Sequence, residues 1–165
     1  GGPLMRCPGD GSPASPEALI ALPDTAFVRR RPAMYLGGID ARGLHSMLFE
    51  LVNESLAAGA RSVAVTLGAD GFAEVADDRD PPAEVEFLFT RFPTLMSGSM
   101  TVVANALSER LTVWARTPGS VYQHSFRGGV THAVLQSGGP PDDRGLTVRF
   151  RPDPDVFGAA RFDPD

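Results

Sequence analysis

Hydrophobic residues recur at helical spacing between Gly43 and Gly59 of this chain. Positions three and four apart are neighbours on a helix, so one face collects the apolar residues together with a single serine: Leu44, Met47, Leu48, Leu51, Val52 and Ser55. Glu50, Asn53 and Glu54 fall on the other face. We expect a helix bounded by the two glycines, whose polar face either lines a pocket or faces solvent.

Alternating apolar and polar residues follow this helix and predict strands. Segments 62–67 and 72–76 form a hairpin around the Gly68–Gly71 turn. Four further segments alternate in the same way: 111–116, 121–127, 131–136 and 146–151.

Shorter helices are expected around the strands. One runs from Asp24 to Arg31, followed by an extended segment over 32–38; another begins at Ala83, and a third runs from Ser97 or Ser99 to about Arg110. The order of helix, hairpin, helix and strand meander predicts an α+β fold with helices on one face of a sheet.

Composition and charge exclude several classes of function. The chain has 165 residues, and we expect residues 1–15 to be an expression remnant and flexible tail before a single domain over 16–165. All fifteen basic residues are Arg, which excludes lysine-dependent phosphate loops and Schiff bases. A net charge of −5 argues against nucleic-acid binding, and the single cysteine, Cys7, excludes an intrachain disulfide.

No apolar run approaches the ~20 residues needed to cross a bilayer. We therefore expect a cytoplasmic protein with no membrane association. The absence of Lys, together with the abundance of Ala, Gly and Pro, is typical of a high-GC bacterial source.

A cluster of acids at the end of the hairpin is a candidate site. Asp77, Asp78 and Asp80 follow the second hairpin strand, a position where functional residues often lie. Glu50, Glu54, Asp77 and Asp78 could form an acid/base set in which a close neighbour raises the pKa of one carboxyl, as acid catalysis requires. The alternative is that they are solvated or paired with Arg79.

Several segments, in order, resemble the GHKL ATPase superfamily and specifically the gyrase B type. They are VRRRPAMYLGG (Val28–Gly38), GLHSMLFE (Gly43–Glu50), ELVNESLAAGA (Glu50–Ala60), VVANALSERLTV (Val102–Val113) and GLTVRFRPDPDVF (Gly145–Phe157). The resemblance covers most of residues 28–157. It implies a Bergerat-type two-layer α/β sandwich, with helices on one face of a mixed, mostly antiparallel sheet.

The resemblance also implies roles for individual residues, with ATP and Mg²⁺ as cofactors. Glu50 matches the catalytic base, which would orient a water for attack on a γ-phosphate. The magnesium-binding Asn of the family is replaced by Glu54, a weak metal candidate, while Asn53 lies one residue earlier. Asp77 matches the acceptor of the adenine amino group.

Other positions depart from the family pattern. Arg79 and Pro82 match the Arg and Pro of the adenine motif if one residue is deleted, but no glycine lies between Asp77 and Pro82. The Thr that supports the adenine contact is Leu146. The lid segment 83–99 is short, with Gly98 and Ser99 left as candidates for phosphate binding at a helix start.

These departures predict that binding of ATP and Mg²⁺ is weak or lost. We expect a stand-alone gyrase-B-like domain without a transducer domain, not a topoisomerase on its own. It would act as a non-hydrolysing binding or regulatory module whose partner is a small molecule or a gyrase-related protein. Two alternatives stay open: a weak Mg²⁺-dependent ATPase using Glu50, and a pocket repurposed for a small molecule or other acid/base chemistry. The sequence leaves the oligomeric state open.

Overall fold

The computed structural model describes residues 24–36, 38–82, 85–90, 100–160 and 162. It contains five α-helices, α1 (Thr25–Arg30), α2 (Ala41–Ala57), α3 (Val85–Thr90), α4 (Met100–Ala106) and α5 (Pro154–Phe157), and a 3₁₀ helix over Pro32–Met34. The expression remnant and tail predicted over residues 1–15 lie outside the described residues. None of the described helices is long and apolar enough to cross a lipid bilayer.

Six strands form one sheet in the order β1-β2-β6-β3-β4-β5. Their bounds are β1 (Val63–Leu67), β2 (Ala73–Asp77), β3 (Ser108–Thr117), β4 (Ser120–Arg127), β5 (Val130–Gly138) and β6 (Gly145–Pro152). All five pairings between these strands are antiparallel. The predicted α+β fold is therefore confirmed, and the described sheet contains no parallel pair.

The core lies between the sheet and the helices. Apolar side chains alternate along the central strands, and those that face the helices are buried: Val75, Leu111, Val113, Phe126, Val148 and Phe150. Helix α2 packs on β1, β2 and α4, and α4 also contacts α1, α3, β3 and β6. The helical layer thus covers the middle of the sheet and leaves β5 exposed along nearly its whole length.

Helix α2 begins earlier than the sequence predicts. Asp40 has an extended backbone and its Oδ1 accepts a hydrogen bond from the Gly43 amide at 3.1 Å, so Asp40 is the N-cap. Gly43 lies inside the first turn because a Cβ there would come within 1.9 Å of the Gly38 carbonyl oxygen. The glycine therefore marks a close approach of two chain segments rather than a helix boundary.

Helix α4 is shorter than predicted, and the prediction that it reaches Arg110 is wrong. It ends at Ala106, and β3 begins at Ser108, whose hydroxyl donates a 2.6 Å hydrogen bond to the Ala104 carbonyl. Pairing with β6 starts at the same residue, Ser108 opposite Pro152. The segment 32–38 predicted as extended instead opens with a 3₁₀ turn that begins at Pro32.

Candidate functional site

Asp77 ends strand β2, and its carboxylate accepts three hydrogen bonds from the chain. Oδ1 accepts the backbone amides of Arg79 at 3.0 Å and Leu146 at 3.1 Å. Oδ2 accepts Nε of Arg79 at 2.7 Å. The Asp77 side chain is 1% exposed. A buried carboxylate needs such partners, and all of them here come from the chain itself.

Arg79 turns back from the end of β2 into the space between α2 and the sheet. Besides its bond to Asp77, its Nη2 donates to the hydroxyl of Ser55 at 3.2 Å. The Arg79 side chain is 11% exposed. The guanidinium thus joins the last residue of β2 to the buried face of α2.

Asp77 is also held from behind by strand β6 and by Arg116. Gly145 has φ of +145°, and a Cβ there would lie 2.1 Å from the Asp77 carbonyl oxygen, so the close approach requires glycine. Arg116 Nη2 donates to that carbonyl at 2.9 Å, and its Nη1 pairs with Asp143 at 3.0 Å. The backbone of Asp77 is therefore held in place by contacts that do not involve its side chain.

The cavity beside Arg79, which is bonded to Asp77, is almost completely filled. It lies between α2, α3, α4, β2 and β6, and its volume is about 10 Å³, room for about one water molecule. Its lining residues are Leu51, Glu54, Ser55, Val75, Arg79, Leu88, Phe89, Thr101 and Val148. From α3, buried Phe89 reaches into the core, where its ring lies 6.0 Å from that of Phe126, and the Asn105 side chain donates to its carbonyl at 2.9 Å.

The three polar residues predicted on one face of α2 have different surroundings. Glu50 and Asn53 are exposed, whereas Glu54 is half-buried in the wall of the cavity. The hydroxyl of Thr101, in the first turn of α4, donates to Glu54 Oε2. Of the three, only Glu54 lines the cavity that Arg79 also lines.

The remaining acids do not gather into one site. Asp78 accepts the backbone amides of Arg61 at 2.8 Å and Ser62 at 3.2 Å. These amide hydrogen bonds, that of Arg61 first, lower the pKa of the Asp78 carboxyl. Asp80 pairs with Arg144 at 2.7 Å on the surface. The predicted alternative of separately paired or solvated carboxylates describes this geometry better than a shared acid/base set.

The other predicted positions contribute less to the site. Pro82 is exposed, and Gly98 and Ser99 lie outside the described residues. Among the described residues no group of three or more His, Cys, Asp or Glu side chains could hold a metal ion.

Sequence reasoning misses several residues that close the cavity. The helical pattern assigns Ser55 to the apolar face of α2, and a lone hydroxyl among five apolar neighbours is the available signal that this face meets a polar group. Thr101 and Leu88 carry no comparable signal, because nothing local to α3 or α4 identifies Glu54 or Arg79 as their neighbours.

Sequence comparison finds relatives of this chain, although no protein-family model matches it. The DNA gyrase B protein of Thermotoga maritima is 33% identical over 92% of the chain, and the type 2 topoisomerase B protein of Aquifex aeolicus is 34% identical over 86%. The DNA topoisomerase 4 B protein of Caulobacter vibrioides is 34% identical over 92%. The chain spans 28%, 21% and 25% of these relatives, respectively, so about a quarter of their length.

A solved structure agrees with these sequence matches. The 43K ATPase domain of Thermus thermophilus gyrase B, in complex with an aminocoumarin, superposes with a TM-score of 0.76 at 34% identity. The match covers 89% of this chain and 44% of the solved one. The sequence identity over about 90% of the chain and the structural match agree, and the chain therefore belongs to the gyrase B-like family of GHKL ATPase domains.

Proposed function

We propose that this gyrase B-like domain does not hydrolyse ATP and acts as a binding or regulatory module. The observation that carries the proposal is the Asp77–Arg79 pair. The family resemblance assigns Asp77 to the adenine amino group, yet both of its oxygens already accept hydrogen bonds within the chain. Oδ2 could accept a second donor, but the Arg79 guanidinium and a cavity of only about 10 Å³ leave no room for an adenine beside it unless Arg79 moves away.

That displacement is unfavourable because the pair is buried. Separating a buried ion pair so that one charge loses its partner typically costs about 3–5 kcal/mol. An adenine amino group would return one neutral-donor hydrogen bond to a charged acceptor, worth about 1.5–3 kcal/mol. The exchange is therefore unfavourable before any phosphate contact is counted, and a cavity of about 10 Å³ leaves no room for both groups.

The position of the metal ligand supports the same proposal. Glu54 replaces a neutral amide with a carboxylate, and that carboxylate already accepts the Thr101 hydroxyl. A carboxylate can bind Mg²⁺, but without the metal it repels a triphosphate. The residues that would hold ATP and Mg²⁺ do not fit them in this arrangement, so we derive no catalytic step through either.

Isothermal titration of the protein with ATP and Mg²⁺ tests the proposal. We expect no measurable binding to the wild-type protein. Arg79→Ala, which frees Asp77 Oδ2, should bind more tightly than the wild type. Arg144→Ala is the matched control because it removes an Arg–Asp pair of the same 2.7 Å length from the surface, and it should behave like the wild type.

The same titration identifies the two competing functions. Micromolar ATP binding by the wild type, with hydrolysis that is lost in Glu50→Gln, would contradict the proposal and establish a Mg²⁺-dependent ATPase. The related Thermus thermophilus domain was solved with an aminocoumarin, so that compound is the first small molecule to test. A rise in melting temperature with an aminocoumarin but not with ATP would support a module that binds small molecules.

A further inference from the structure

A groove lies on the face of the sheet opposite the helical layer. Thr112 and Trp114 of β3 and Arg149 of β6 line it. These side chains alternate with buried core residues along both strands, so they project from the other face of the sheet. Phe72, between β1 and β2, also lines the groove, whose volume is about 500 Å³. That volume lies within the ~300–1,000 Å³ range of small-molecule sites, and we call this site the outer groove.

Flat groups form the floor of the outer groove. The guanidinium carbon of Arg149 lies 4.6 Å from the centre of the Phe72 ring and 5.7 Å from that of Trp114. Glu74 of the neighbouring strand β2 holds this guanidinium, with Nη2 and Oε1 2.9 Å apart. The Arg149 side chain is still 49% exposed, so a ligand can reach it. Since indole and guanidinium groups both stack on flat rings, the floor suits an aromatic ligand.

An irregularity in β3 brings two adjacent charged residues to the outer groove. The pairing of β3 with β6 shifts at this point: Arg110 lies opposite Arg151, and Glu109 has no partner residue. Adjacent side chains of a regular strand point to opposite faces, yet Glu109 and Arg110 both line the groove. Bulges redirect side chains in this way and are frequent next to active sites.

The charges of Glu109 and Arg110 are not neutralised within the described part of the chain. Neither residue belongs to an ion pair there, with the other or with a third residue. Arg151, by contrast, pairs with Asp70 at 2.6 Å. Arg110 also lies directly across from Arg151, and like charges in this position are unfavourable. An anionic group beside Arg110 would therefore be stabilised, as would a cationic group beside Glu109.

We propose that the outer groove binds a small zwitterion that carries a flat ring, of the class of the free aromatic amino acids. The carboxylate of the ligand accepts hydrogen bonds from Arg110, because a guanidinium offers a carboxylate two parallel donors. The ammonium pairs with Glu109, and the ring stacks on Trp114 and Arg149. This site is separate from the proposed function, because it shares no lining residue with the cavity beside Arg79.

Trp114 is the single tryptophan of the chain and reports directly on the outer groove. Titration with L-phenylalanine should give a saturable change in its fluorescence, and isothermal titration should give the same dissociation constant. Phenylalaninamide lacks the carboxylate, N-acetylphenylalanine lacks the ammonium, and alanine lacks the ring. Each should bind about tenfold more weakly or worse, because one charge-assisted hydrogen bond or one stacked ring is lost.

Two variants assign the two charged ends of the ligand. Arg110→Gln should bind phenylalanine about tenfold more weakly and no longer distinguish it from phenylalaninamide, since the carboxylate has lost its partner. Glu109→Gln should in the same way no longer distinguish phenylalanine from N-acetylphenylalanine. Arg127→Gln is the matched control, because Arg127 is another exposed arginine without an ion pair among the described residues, at the end of β4. It should bind phenylalanine as the wild type does.

The absence of binding in both titrations at millimolar phenylalanine would overturn the inference. Equal binding of all four compounds would do the same, as would a loss of binding in Arg127→Gln but not in Arg110→Gln. Addition of ATP and Mg²⁺ should not displace phenylalanine, and displacement would also contradict a site on this face of the sheet. The outer groove and the proposed loss of ATP hydrolysis can therefore fail separately. Urea unfolding of each variant, expected to match the wild type, separates lost binding from lost folding.

Discussion

The buried Arg79–Asp77 pair and the exposed Arg144–Asp80 pair permit a direct comparison. Both have an N–O distance of 2.7 Å, and both join an arginine to an aspartate. The side chains of the first pair are 11% and 1% exposed, and those of the second 52% and 79%. Replacing each arginine by Met, which keeps most of the aliphatic stem, removes the same charge from two environments that differ mainly in burial.

The burial of each pair determines how much stability each variant should lose. Arg79→Met leaves Asp77 buried with two backbone amides and no cation. Breaking a buried ion pair costs about 3–5 kcal/mol, and we expect the free energy of unfolding to fall by about 3 kcal/mol because the amides remain. The Ser55 hydroxyl also loses its donor. Arg144→Met breaks a pair that water screens, so its loss should stay below about 0.5 kcal/mol. The difference between the two variants is therefore about 2.5 kcal/mol.

Urea unfolding followed by the fluorescence of Trp114, the single tryptophan, measures both losses. At a denaturant slope of about 2 kcal/mol/M, Arg79→Met should lower the unfolding midpoint by about 1.5 M, and Arg144→Met by less than about 0.3 M. Equal midpoints for the two variants would refute the reasoning. The Arg79 guanidinium would then contribute no more than a surface charge, and the argument that it blocks the adenine position would fail with it.

Three further predictions concern the start of helix α2 and the acid after strand β2. Gly43→Ala should destabilise the protein by about 1–3 kcal/mol, because the added Cβ meets the Gly38 carbonyl, whereas Gly138→Ala, with open space around it, should be nearly neutral in the same urea titration. Asp40→Ala removes the cap of α2 and should cost about 1 kcal/mol, measured as a lower melting temperature. The lowered pKa of Asp78 means that its contribution to stability is complete above its ordinary pKa of 3.8 and is lost as pH falls through the lower folded value. Asp78→Asn should therefore differ from the wild type in urea midpoint at neutral pH and converge with it toward about pH 2; a constant difference would contradict this assignment.

The sequence predicts the strands well and the ends of the helices less well. Alternation locates the six described strands. In β2, β3 and β6 one face is buried, and burial imposes a period of two; β1 and β5 alternate in sequence without such burial. The predicted end of α4 is wrong because Ser108 both ends the helix through the Ala104 carbonyl and starts β3. Residues 108–110 carry no apolar pattern that distinguishes a helix from a strand. The pairing of β3 with β6 makes them part of the strand.

The candidate site is predictable as a set of residues but not as an arrangement. The motifs identify Asp77, Arg79 and Glu54 individually. Whether Arg79 extends to solvent or folds onto Asp77 depends on a distant strand, since Gly145 and Leu146 bring β6 against the end of β2 and supply an amide to the carboxylate. From the sequence, pairing of the acids with Arg79 is one alternative and a shared acid/base set is the other. Only the fold distinguishes between the two.

Burial of Asp77 connects the filled cavity with the stability of the fold. A carboxylate that is 1% exposed needs hydrogen-bonding or charged partners whenever the protein is folded. If a ligand supplied that compensation, the protein would be stabilised by ligand binding and weakened without it. Here Arg79 is two residues along the same chain, so compensation is present at all times and at an effective concentration that no free ligand matches. If the proposed function holds, we expect a melting temperature that does not change with nucleotide. Arg79 would then both stabilise the fold and oppose ATP binding, so Arg79→Ala should gain affinity for ATP and lose stability in the same variant.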